Sequence, residues 1–311
     1  MIVKKEFTFL SRNGTDNCHA ISWAPEDGNI KGVFQIIHGM REYTDRYNDF
    51  ATFLAEQGFL VVGADHLGHG KTAKTEKDLG YFGEGDIPTI LVRDAHRLKK
   101  IIQEQNPGKP YFIIGHSMGS FVLRKYLTLY RKGINGAILI GTGSTPSGMT
   151  RFGIMLSSFL KVFQGDRHRS NLIDKIAFGS YNKKVPDVST PSDWLTENAE
   201  AVKVYREDPY CMYIFTLNGF KGMFKLINHA CNPKYLSVIK KDIPILIMSG
   251  KLDPVGDYGK GPEKVYNQYI KAGMTNVELK MYDDMRHEVL HSCRKQEVYD
   301  YMLNWLNNHI N

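Results

Sequence analysis

The chain has 311 residues, 42% apolar and 23% charged, with a formal net charge of +7. That balance suits a globular enzyme, and no stretch approaches the ~18 uninterrupted apolar residues of a membrane span. Lys and Arg are scattered in pairs such as Lys99–Lys100, Lys183–Lys184 and Lys240–Lys241. They do not form a stripe with aromatics, which argues against nucleic-acid binding and leaves only mild attraction to anionic ligands or membrane surfaces.

Residues Met1 to Arg12 alternate apolar and polar side chains. They have no apolar core of a signal peptide, so a cytoplasmic protein is expected. The segments 6–12 and 19–25 read as strands of a hairpin around Asn13-Gly14. Gly32–His38 is a short apolar run, as expected of a strand buried on both faces. Tyr47, Phe50, Ala51 and Leu54 fall at helical spacing, and Gly58 ends that helix. Phe59–Asp65 is the next buried strand, followed by a glycine-rich turn, His66–Gly70. A helix over 90–105, a strand at 111–115, a helix from about 117 to 131 and a strand at 136–141 continue the alternation. Such alternation implies a mostly parallel sheet with helices on both faces.

The alternation stops after Gly143. Residues 144–238 read as mainly helical pieces, and a strand at 243–249, a helix at 262–272, a strand at 277–282 and a helix at 294–309 follow. The expected organisation is an α/β core over 1–143 and 239–311, with a helical cap insertion over 144–238. Within it, Phe152, Met155, Leu156, Phe159, Leu160 and Phe163 form one apolar helix face, expected to pack inward, with an acyl-binding wall or a membrane-touching lid as the functional readings. A second apolar stretch, Met212 to Ile227, carries Phe215, Phe220, Met223 and Phe224.

Gly115-His116-Ser117-Met118-Gly119 matches G-x-S-x-G. A serine on a sharp strand-to-helix turn needs glycines two residues either side, and the helix N-terminus then offers amides to a developing oxyanion. The strand before it and the helix after it supply the required context. In this fold an acid and then a histidine follow the serine along the chain. Asp253, three residues beyond a late strand, is the expected acid, with Asp257 as rival. His287, beyond the last strand, is the expected base, with His291 as rival on a surface helix start. Met118 N–H and Met40 N–H, the latter in the loop His38-Gly39-Met40-Arg41, are the expected oxyanion donors.

These blocks resemble the monoacylglycerol lipase and lysophospholipase group of α/β-hydrolases, also called the serine aminopeptidase-like family. The likeness rests on His38-Gly39 with Glu42, Arg46 and Tyr47; on Asp65-His66-x-Gly68-His69-Gly70; on the serine motif; and on Gly250-x-x-Asp253 with His287-Glu288-Val289-Leu290. Asp193-Trp194-Leu195 through Asp208-Pro209-Tyr210-Cys211 is similar to bacterial members. The resemblance implies acyl-ester hydrolysis through an acyl-enzyme without cofactor, with Ser117, Asp253 and His287 as triad and Glu42 and Arg46 supporting the oxyanion loop. Met40, Arg41 and Tyr43 stand where the family often has a small residue, glycine and histidine.

His66 and His69 lack a third ligand nearby, so a turn role is expected and no metal. The four cysteines, Cys18, Cys211, Cys231 and Cys293, fit no zinc or redox spacing and read as isolated thiols. The expected substrate is a small acyl ester, monoacylglycerol- or lysophospholipid-like. A thioesterase, acyltransferase or peptidase on the same triad, the last needing an anion among Glu197, Glu200 and Glu207, and a non-catalytic ligand-binding relative are the alternatives.

Overall fold

The computed structural model describes residues 1–310. The chain starts with an antiparallel hairpin, β1 (Ile2–Leu10) and β2 (Asn17–Pro25), turning through Asn13-Gly14. β3 (Gly32–Ile37) leads through a 3₁₀ turn into α1 (Asn48–Glu56), and β4 (Phe59–Ala64) follows. Gly58, at φ +84°, makes the left-handed turn between α1 and β4. Next come α2 (Ile87–Gln105), β5 (Tyr111–His116), α3 (Met118–Leu129) and β6 (Gly136–Ile140). Helix α2 begins three residues before the apolar pattern suggests, with Pro88 in its first turn, where a missing N–H costs nothing.

Between β6 and β7 lie α4 (Ser147–Gln164), α5 (Asn171–Phe178), α6 (Ala199–Glu207) and α7 (Leu217–Ala230). β7 (Ile245–Gly250), α8 (Lys260–Lys271), β8 (Val277–Tyr282) and α9 (Lys295–Asn308) complete the chain. β7 starts two residues later than expected, after Pro244, which has no N–H for the ladder but whose carbonyl accepts from Ala137 N–H.

The eight strands form one sheet in the order β1-β2-β4-β3-β5-β6-β7-β8. β2 runs antiparallel to β1 and β4, and every other pairing is parallel. The central strands β3, β5, β6 and β7 are buried along their whole length, as the apolar runs require. One core, with α2, α3 and α8, covers one face; the other, with α1 and α9, covers the opposite face.

The helices between β6 and β7 do not share one environment. Phe220, Met223 and Leu226 of α7 belong to the main core, and the α3 side chain Arg124 donates to Ala230 O at 2.8 Å. Helix α4 lies along α7 through small residues. Thr150, Gly153 and Ser157 are buried, and a side chain at Gly153 would strike the Phe224 ring at 2.6 Å. The expected inward apolar face of α4 is therefore corrected. Leu156 and Leu160 pack against the core, but Phe152, Met155, Phe159 and Phe163 are 52%, 62%, 60% and 72% exposed. Close approach of two helices selects small side chains at the contact, which turns the bulky ones outward.

Candidate active site

The site lies at the C-terminal ends of the parallel strands, where open α/β sheets place their ligands. β5 ends at His116, α3 starts at Met118, and Ser117 between them takes φ 51°, ψ −119°. A non-glycine residue is held in such a conformation only by its surroundings. Ser117 N–H donates to Ile140 O at 2.9 Å, and Ser117 O accepts from Ser120 N–H at 2.9 Å and Ser120 Oγ at 2.6 Å. Glycines make the turn sterically feasible. A side chain at Gly115 would enter the Gly119 carbonyl, and one at Gly119 the Ile37 carbonyl. One at Gly39 would come within 2.9 Å of Ser117 Cβ.

Asp253 sits in the loop after β7, fully buried. Its Oδ2 accepts from His287 Nδ1 at 3.0 Å, and its Oδ1 accepts from Val255 N–H at 2.8 Å. His287, after β8, is 2% exposed and borders the same cavity as Ser117. With Nδ1–H donated to the carboxylate, Nε2 is left as the acceptor. Among the described residues no hydrogen bond joins Ser117 Oγ to His287, and the amides of Met40 and Met118, both bordering the cavity, have no acceptor.

The rivals are not part of this pair. Asp257 also borders the cavity but is exposed, in a left-handed turn. His291 is not the exposed residue expected. It packs on Tyr47, its Nε2 donates to Arg46 O at 3.0 Å, and burial pushes its pKa down. Glu197 accepts from Ser292 Oγ and Cys293 N–H, Glu200 and Glu207 are exposed, and none of the three borders the cavity.

Behind the serine is a buried ionic network. Glu42 Oε1 accepts from Gly39 N–H, from Tyr47 OH at 2.9 Å and from His116 Nδ1 at 2.8 Å. Arg46 Nη1 reaches Glu42 Oε2 at 3.1 Å, and Arg46 forks onto Glu288 at 2.7 and 2.9 Å. Burial opposes charge on all of these groups. His116 and Arg46 nevertheless hold Glu42 below the usual carboxylate range, and Arg46 does the same for Glu288. Burial also opposes charge on His116, but Glu42 overrides it and raises the histidine. The network ties the loop of Gly39, the serine motif (His116) and the loop of His287 (Glu288) together. Glu42 and Arg46, expected to support that first loop, are both members of it. The roles of His116 and Glu288 were missed, although both directly precede or follow a candidate catalytic residue in the chain.

His66 and His69 spend ring nitrogens on backbone. His66 Nε2 donates to His38 O at 3.2 Å, and His69 Nδ1 to Leu67 O at 3.0 Å. Burial pushes their pKa values down to about 4 and about 3. All four cysteines are free.

Above Ser117 opens a cavity of about 1760 Å³, walled by Met149, Phe152 and Leu156 of α4, Ile173 and Phe178 of α5, and Met223, Phe224 and Ile227 of α7. Arg41, at φ 56°, reaches from the loop after β3 across to Asp174 of α5 as an ion pair.

A twisted sheet of this order, with a serine at the β5–α3 elbow and an Asp–His pair at the ends of β7 and β8, defines an α/β-hydrolase. The chain belongs to the Hydrolase_4 family (serine aminopeptidase, S33), whose model matches residues 28–293. It is 24% identical to a monoacylglycerol lipase of Mycolicibacterium smegmatis, over 99% of this chain and 98% of that one. It is 26% identical to human monoglyceride lipase, over 86% and 78% of the two chains. A thermostable carboxyl esterase from Bacillus coagulans, solved with glycerol, superposes with a TM-score of 0.91 over 99% of both chains at 29% identity. The protein is a monoacylglycerol-lipase-like α/β-hydrolase and a carboxylic ester hydrolase.

Proposed function

We propose that the protein cleaves monoacylglycerol-like or lysophospholipid-like esters through a Ser117–His287–Asp253 triad and an acyl-enzyme. The observation that carries this reading is the buried His287–Asp253 pair beside a strained serine, at the floor of a large apolar cavity. Ser117 Oγ attacks the ester carbonyl while His287 Nε2 takes its proton and then delivers it to the departing alkoxide. Water repeats the sequence on the acyl-enzyme and releases the acid. Asp253 fixes the tautomer of His287, and the free amides of Met40 and Met118 receive the oxyanion. The contact between Oγ and Nε2 closes in the Michaelis complex, as apo hydrogen bonds of this kind often do. The proposed cap carries the acyl-binding wall.

A cavity of this size exceeds the ~300–1,000 Å³ of most small-molecule sites, which suits an extended acyl chain. Of the exposed apolar residues on α4 and α5, Met149, Phe152 and Ile176 border the cavity, and Met155, Phe159, Phe163 and Leu172 are exposed on the same two helices. This patch supports transient contact with a lipid surface from which substrate enters.

The test is hydrolysis of p-nitrophenyl esters from acetate to palmitate by the native protein and Ser117→Ala. Native activity peaking at medium or long chains, with a loss on the order of 10⁶ in the variant, is expected. Activity that survives in Ser117→Ala overturns the triad, and activity confined to acetate overturns the acyl-lipid substrate.

A further inference from the structure

The loop between the helices α5 and α6 crosses over His287 and is gripped from both sides of that residue. Arg286 Nη1 donates to Asp193 O at 2.6 Å and to Thr196 O at 3.1 Å, and Glu288 N–H donates to Leu195 O at 2.6 Å. The gripped carbonyls flank Trp194 on the chain. Its ring lies 5.2 Å from the His287 ring, centroid to centroid, at 41°. Tyr181 meets the indole edge-on at 4.8 Å and holds it there. The His116 ring stands 4.9 Å from His287, and Gly141 leaves no room beyond it, since a Cβ there would meet His287 Cε1 at 2.8 Å. The imidazole is thus confined by Asp253 at Nδ1 and by neighbouring rings, one of them supplied by the segment between β6 and β7.

We infer that Trp194 is a positioning residue that acts through His287, clamped in place by Arg286; this rests on the triad proposed above. During turnover His287 carries a positive charge only while it holds the proton taken from Ser117 Oγ, before passing it to the leaving alkoxide. The π-face of an indole within about 6 Å of a cation attracts it. The indole therefore favours the imidazolium over the neutral ring, and it limits rotation of that ring out of line with Ser117. An interaction made only in the charged state raises kcat and leaves ground-state binding of a small ester alone. Asp253, from the loop after β7, and His116, at the end of β5 and paired with Glu42, are the ionisable groups facing the same imidazole, with Tyr181 beyond the indole.

The experiment compares the native enzyme, Trp194→Phe, Trp194→Leu, Arg286→Ala and Ser117→Ala on p-nitrophenyl acetate, a substrate too short to need the acyl wall. Trp194→Leu is expected to lose about 3- to 30-fold in kcat with KM nearly unchanged, and Trp194→Phe to retain most of it. Arg286→Ala shifts kcat in the same direction with the indole still present. Thermal melts of each variant separate misfolding from lost positioning. An unchanged kcat in folded Trp194→Leu, a change in KM alone, or a loss in Trp194→Phe as large as in Trp194→Leu overturns the inference. Activity retained by Ser117→Ala overturns the triad instead.

Discussion

β5 and α4 are both runs rich in large apolar residues, and they end in opposite surroundings. Tyr111 to His116 is buried at every position, inserted between β3 and β6 with helices above and below. Phe152, Met155, Phe159 and Phe163 of α4 face outward, with Phe152 at the border of the cavity. A strand in the middle of a parallel sheet has no outward face, so its residues must be apolar. A helix has a choice of faces, and here Thr150, Gly153 and Ser157 make the contact with α7 because small side chains let the backbones approach. Hydrophobicity specifies burial in the first case and marks an unpartnered surface in the second. The core supplies rigidity to the reacting groups, and the outer helices supply apolar surface to whatever enters.

Perturbing the core should therefore be costly and perturbing α4 nearly free. Asp253→Asn leaves the fold intact but presents an amide to His287 Nδ1, which disfavours the productive tautomer. kcat on p-nitrophenyl butyrate is expected to fall by about 10⁴. Only a small loss would mean that His287 is oriented by its other neighbours, and the contrast between the core and the outer helices would weaken. Next in size is the buried network. Glu42→Gln removes one partner of a buried ionic cluster and is expected to cost ~3–5 kcal/mol, measured by urea unfolding at neutral pH. Its companion, Glu288, gives the network a pH signature. Burial opposes its charge, yet Arg46 holds it below its ordinary 4.5, so its stabilising contribution is present above about pH 4.5 and lost as the pH falls through the lowered native value. His116, raised by Glu42 against burial, acts in the opposite sense. Its contribution is present below its ordinary 6.5 and lost as the pH rises through the raised native value. Glu288→Gln should flatten the acid limb of stability and leave the other limb in place.

The smallest effect on stability belongs to the outer face of α4. Phe159→Ser with Phe163→Ser is expected to change stability by no more than about 0.5 kcal/mol and to leave acetate hydrolysis untouched. Co-sedimentation with phosphatidylcholine vesicles should fall in the same variant. Unfolding of the double variant would show that the patch is structural and remove the distinction between the two regions.

The sheet and its helices were legible because buried strands and amphipathic helices leave periodic traces, with errors of a few residues where proline decides a boundary, as at Pro88 and Pro244. The serine turn at Ser117 and the places of Asp253 and His287, the proposed acid and base, beyond β7 and β8 were legible because such a turn demands glycines at fixed spacing and the other two residues follow particular strands. The face of α4 was misjudged because large residues were weighted over small ones. Trp194 escaped because nothing in sequence spacing brings it to His287, and the roles of His116 and Glu288 escaped because adjacency to Ser117 and His287 does not show which side chains they pair with. Their roles come from contacts across 74 to 242 positions, such as His116 to Glu42, Arg286 to Asp193 and Arg46 to Glu288.

The order of the site along the chain has a consequence for biosynthesis. The elbow of Ser117 is made first, the helices between β6 and β7 next, Asp253 after them and His287 last. A growing polypeptide folds from its N-terminal side as it emerges. On the proposed roles, an unfinished chain already displays a serine and an apolar cavity wall but has no base to activate the hydroxyl. On those roles, stalled or prematurely terminated products are hydrolytically silent, and ester-cleaving activity is switched on only when β8 has joined the edge of the sheet and carried His287 into place.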